Sequence, residues 1–129
     1  MLPLTLVLVF GILDFGKAFN YWIDQTHLAN SGARWAVVDR NPGEDDGLSL
    51  QEYVKSLGNT SELRGGMTVC VSFPEGTSDV GDPVRVTVSY PFDWMPFLDS
   101  RLGITSTTID STATMRLEAP PSAYDAGCA

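Results

Sequence analysis

The sequence has a single histidine, two cysteines, and only 8 Lys and Arg against 16 Asp and Glu, for a formal net charge of -8. Each shortage removes a class of function. Phosphate binding needs clustered basic side chains, so nucleic acid is excluded as a partner. A Ser or Cys nucleophile would have only His27 as its base, and His27 falls close behind the apolar N-terminus. Arg64-Gly65-Gly66 lacks the spacing of a phosphate-cradling loop. Neither His27 with the cysteines nor Glu44-Asp45-Asp46-Gly47 has metal-ligand spacing. No catalytic, cofactor-binding or metal-ligating residues are assigned, and the chain is read as a non-enzyme. The acids are spread over loops and make a solvated surface.

Also missing are a basic residue ahead of the first apolar run and a small-x-small cleavage site behind it, which argues against a cleaved secretory signal. Met1–Leu13 is apolar except for Thr5 and is shorter than the roughly 20 residues that span a bilayer. The sequence continues in helix-compatible fashion through Asp14, Phe15, Gly16, Lys17, Ala18 and Phe19 to Tyr21 and Trp22, where interfacial aromatics belong. Residues 1–22 are therefore expected to form a retained membrane or assembly helix carrying Leu4, Leu8, Phe10 and Gly11, with 23–40 its amphipathic continuation. Asp14 and Lys17 stand out, because ionisable groups at membrane depth are usually paired. They can pair with each other at i, i+3, pair between neighbouring copies, or simply reach the interface.

From Phe15 to Val38 the apolar residues recur at helical spacing. Phe15, Ala18, Phe19, Trp22, Thr26, Ala29, Ala33, Ala36 and Val37 predict the face that covers the domain. A second stripe, Tyr21, Leu28 and Trp35, repeats every seven residues. One small domain needs one buried stripe. The second, with the small residues Gly11, Gly16, Ala29, Gly32 and Ala33, is expected to contact neighbouring copies.

Pro42 and Gly43 end the helix. Residues 41–119 are expected to form an extracytoplasmic α+β domain, beginning with a short helix at Leu48–Gly58 that points Leu50, Tyr53, Val54 and Leu57 inward. Three alternating strands follow, with Met67, Val69, Val71 and Phe73, then Val84, Val86, Val88 and Tyr90, then Ile109, Ala113, Met115 and Leu117 as buried faces. This predicts a long helix on an antiparallel sheet of three or four strands. Cys70 then points away from the helix. A tail ending in Cys128 can reach it and close a disulfide worth roughly 4 kcal/mol by chain entropy, or the two thiols can stay apart. The connection Pro91–Leu98 is rich in large apolar residues. Phe92, Trp94, Phe97 and Leu98 make either a lid on the core or a contact patch for a partner or membrane surface. Residues 120–129 read as an irregular tail.

Leu2-Pro3-Leu4, then Gly11-Ile12-Leu13-Asp14-Phe15-Gly16-Lys17, then Gly32-Ala33-Arg34-Trp35-Ala36 together resemble the TadE-like proteins of the tight-adherence pilus system. Thr112–Glu118 looks like that family's closing strand. The resemblance implies a pilin-like subunit or assembly factor, anchored in the cytoplasmic membrane with its domain outside the cytoplasm, on the cell surface or in a pilus. Its partners would be other pilin-like subunits, the Tad assembly machinery and the lipid bilayer, in a homo- or hetero-oligomer. The family's basic leader, processing site and Glu do not precede Met1. The alternative is a monomeric, membrane-tethered binding module that grips a ligand through the 91–98 connection.

Overall fold

The computed structural model describes residues 1–58, 60–93 and 106–129. It shows an α+β fold. Helix α1 spans Leu2–Val37, α2 Leu50–Ser56 and α3 Ser61–Gly66; strands β1 (Thr68–Ser72), β2 (Pro83–Asp93), β3 (Ser106–Arg116) and β4 (Gly127–Cys128) follow. All pairings are antiparallel, in the order β3-β2-β1-β4. The alternation expected of the first three strands is present. Val69, Val71, Val84, Val86, Val88, Ala113 and Leu117 are buried under the helices, while Thr68, Ser72, Arg85, Thr112 and Arg116 are exposed.

Helix α1 has 36 residues, a length of about 54 Å. Its rear part is the layer that covers the sheet, and small residues make this possible. Ala29, Ala33 and Ala36 are buried against the sheet side, and a Cβ on Gly32 would lie only 3.2 Å from Val54 Cγ2 and from Val86 Cγ1. Ala29, Ala33, Ala36 and Val37 are thus buried on the face expected to cover the domain, and there Ala29 and Ala33, with Gly32, are consumed in the chain's own core and not in the contact between copies also expected of these three small residues. Gly11 and Gly16 have open space where a Cβ would stand.

Ahead of Ala29 the two stripes of α1 are exchanged relative to expectation. Tyr21 and Leu28 are core residues, and Phe15, Phe19 and Trp22 are exposed. Trp35 is half-buried on the chain's own α2, edge-on to Tyr53 at 5.3 Å. Phe15 and Ala33 occupy the same angular position about five turns apart, yet Phe15 is 65% exposed and Ala33 0%. The buried stripe therefore drifts around the helix. Strands in a sheet twist relative to one another, and a straight helix laid across them turns a changing face to the sheet.

Other differences have local causes. Helix α2 starts at a capping box between Ser49 and Glu52 and ends at Ser56, which leaves Leu57 40% exposed rather than inward. Helix α3 was hidden by Gly65 and Gly66, which weaken the helical signal. Thr60 caps it through Leu63 N–H at 3.1 Å, and Leu63 is buried. Strand β2 runs through Pro91 to Asp93 because β1 pairs only as far as Ser89, and a proline is tolerated where one side of the ladder is open. The tail does not stay irregular: Gly127–Cys128 pairs with β1, and Cys70 and Cys128 form a disulfide.

Within the core the Gln25 side chain is fully buried, and neither its Oε1 nor its Nε2 has a hydrogen-bond partner among the described residues. A buried, unsatisfied amide is costly. Gln25→Met is accordingly expected to stabilise the protein by about 1–3 kcal/mol, measured by denaturant unfolding of the detergent-solubilised chain. Leu28→Ala is expected to cost about 2–5 kcal/mol, whereas Phe19→Ser should stay within about 0.5 kcal/mol of wild type. Equal costs at Leu28 and Phe19 would contradict the exchanged stripes.

Candidate functional site

Along Leu2–Leu13 helix α1 is mostly bare. Leu2, Leu4, Leu6, Leu8, Ile12 and Leu13 are exposed, and Phe10 and Gly11 are half-buried. By length and composition α1 can cross a membrane. From Asp14 onward one side of the helix is covered by the domain, while Phe15, Phe19, Trp22 and Ile23 stay exposed and, beyond Ile23, polar residues such as His27, Asn30 and Arg34 are exposed. Phe15, Phe19 and Trp22 form a ladder with ring centroids 6.5 and 5.8 Å apart. Together with Ala18 and Ile109 of β3 they line a shallow apolar depression of about 250 Å³. Ile23 extends this outer face. From Leu2 to Ile23 the exposed apolar residues extend about 33 Å at 1.5 Å per residue, and the upper part of that length is the part packed on the domain.

On the covered side, α3 brings a carboxylate to the helix. Lys17 Nζ lies 3.5 Å from Glu62 Oε2, and this, rather than pairing with Asp14, is how the structure uses Lys17; Asp14 itself is buried. Tyr21 Oη donates to Glu62 Oε2 at 3.2 Å and Tyr90 Oη to Oε1 at 3.3 Å. Tyr21 stands edge-on to Tyr90 and Phe92, with centroids 5.3 and 5.8 Å away. Lys17 Nζ also lies 5.6 Å from the Tyr21 ring centroid and 6.0 Å from that of Phe92, within cation–π reach. Hydrogen bonding from Tyr21, then the Lys17 charge, hold the Glu62 carboxyl below the ordinary glutamate value.

Phe92 is 2% exposed, so it belongs to the core and not to a contact patch; its strand position beside Tyr21 decides this. Trp94, Phe97 and Leu98 lie outside the described residues. Among the described residues no three metal-ligating side chains converge. The sequence pointed to Lys17 and Tyr21 but not to Glu62, whose only local signal is its place in the first turn after Thr60, a helix-capping residue.

A carboxylate whose folded pKa is depressed contributes stability above its unfolded pKa and loses it as pH falls through the folded one. The Glu62 side chain is 59% exposed, which keeps the effect small. Tyr21→Phe is expected to raise the Glu62 pKa toward the ordinary glutamate value, followed by carboxyl carbon shifts in an NMR titration. An unchanged midpoint would show that the phenol does not act on Glu62.

The chain matches no protein-family model, no curated protein and no solved structure.

Proposed function

We propose that this chain is a pilin-like structural subunit of a Tad-type pilus, held in the cytoplasmic membrane by the front of α1, with its domain outside the cytoplasm and with α1 as the assembly element. The observation that carries the reading is the apolar outer face of α1, which continues past the bare front and along the flank of the folded domain as Phe15, Phe19, Trp22 and Ile23. The lower part of that face suits lipid. The upper part does not, because Lys17 and Glu62 lie at the same height on the covered side of the helix, and immersing charged groups in hydrocarbon is expensive. A ladder too high for the bilayer and too apolar for water is suited to other protein, and a neighbouring subunit's apolar helix supplies a matching surface. The resemblance of the Gly-Ile-Leu-Asp-Phe-Gly-Lys and Gly-Ala-Arg-Trp-Ala motifs to TadE-like proteins supports the same assignment.

The neighbour-facing residues are then Phe15, Phe19 and Trp22, in place of Leu28 and Trp35. Electron microscopy of sheared surface material, with a blot for this protein, tests the reading in wild-type and deletion strains. Filaments containing the protein should disappear on deletion. They should not return when the deletion is complemented with Phe19→Ser/Trp22→Ser, which leaves the domain folded. Filaments that depend on the protein without containing it would make it an assembly factor, and filaments indifferent to its deletion would overturn the proposal.

A further inference from the structure

The segment 122–129 is tied down at three places. At its start the Asp39 carboxylate accepts hydrogen bonds from Ser122 N–H at 2.6 Å and Ala123 N–H at 2.8 Å, and from the Ser122 hydroxyl. In its middle the Tyr124 ring is buried, and its hydroxyl donates to Ala36 O at 2.8 Å. At its end Gln51 Nε2 donates to Asp125 O at 2.8 Å and Gly127 O at 3.1 Å, Ala129 exchanges backbone hydrogen bonds with Val69 at 2.9 and 3.0 Å, and the Cys70–Cys128 bond closes the loop.

Two of these ties converge on the rear end of α1. The last carbonyls of a helix have no partner within it. Here Ala36 O takes the Tyr124 hydroxyl, and Val37 O takes the amides of Glu118 and Ala119 at 2.9 and 3.2 Å. Asp39, at φ 53°, holds its carboxylate against the returning chain. Hydrogen bonds from the Ala123 amide first, then the Ser122 hydroxyl and amide, keep its pKa below the ordinary value, whereas burial, aided by the Asp39 charge, pushes Tyr124 up to about 12.

The third tie is the weak one without its covalent bond. Strand β4 has 2 residues, fewer than a self-sustaining strand. The segment before it is irregular, so each of its residues regains conformational freedom on release. Cys128 is exposed and accessible to an attacking thiolate.

We propose that Ala119–Ala129 is a redox-governed strap: with Cys70 and Cys128 bonded it locks the rear end of α1 to the sheet edge, and with the pair reduced it leaves that edge and gives up its contacts with Asp39 and Ala36 O. In opening, a thiolate of an external dithiol attacks Cys128 Sγ and forms a mixed disulfide, while Cys70 departs as thiolate and takes a proton. The second thiol of the dithiol then displaces Cys128. The protein gains two electrons and two protons, and the dithiol becomes a disulfide. Closing is the reverse, with the oxidised form of a thiol–disulfide oxidoreductase as oxidant. The strap is a property of the single chain, whatever that chain assembles with.

Hydrogen exchange read by mass spectrometry tests this on the full chain in detergent micelles. Three samples are compared: oxidised, reduced in place with a phosphine, and Cys70→Ser/Cys128→Ser. The amides of Ser122, Ala123 and Ala129 are expected to exchange at least about tenfold faster once the bond is gone, with those of Val86 and Val88 unchanged, as local opening requires. Unchanged tail protection would mean that the non-covalent ties suffice. Acceleration spreading into β2 would make the bond a support of the whole domain. Either result overturns the proposal, and the in-place reduction gives the answer should the double variant fail to fold.

Discussion

The close approach of α1 to the valine face of the sheet is the constraint on which the rest of the molecule depends. Gly32 sits where even one added carbon would press on Val54 and Val86, and Ala29, Ala33 and Ala36 continue the smooth surface. Close packing without voids is what makes a small core sufficient. Because the rear of α1 is the core's second layer, its front is held in a fixed direction as a rigid continuation of the same hydrogen-bonded rod, with no hinge of its own. A helix that is both core element and projecting rod transmits the orientation of its front directly to the domain.

Both ends of the packed part of that helix are fastened by polar contacts that come from elsewhere in the chain. At the front, the Glu62 carboxylate gathers Lys17, Tyr21 and Tyr90. At the rear, Asp39 and the carbonyls of Ala36 and Val37 gather the C-terminal segment. Charge-assisted hydrogen bonds at partly exposed sites add modest stability but strong directionality. They fix the rotation of α1 about its axis, and that rotation turns the Phe15–Phe19–Trp22 ladder away from the domain. The same rotation assigns Tyr21 and Leu28 to the core.

The sequence by itself determined α1, α2 and the first three strands, with the faces of those strands. Val84, Val86, Val88 and Tyr90 alternate with polar residues, and a period of two has only one way to be half-buried. It also determined that α1 is apolar beyond the needs of one core, and that Cys70 lies on the sheet face away from the helix. Only the tertiary structure decided where along α1 each of the two stripes is the inner one. Both are apolar and both have helical spacing, so the choice fell to the twist of the sheet and to Glu62, a contact 45 residues away in sequence from Lys17. The tertiary structure likewise decided that Phe92 is core and that the tail returns to the end of α1. A tail of small residues and prolines has no periodicity to read, and its place is set by Asp39, Gln51 and Cys70, partners that local sequence cannot bring together.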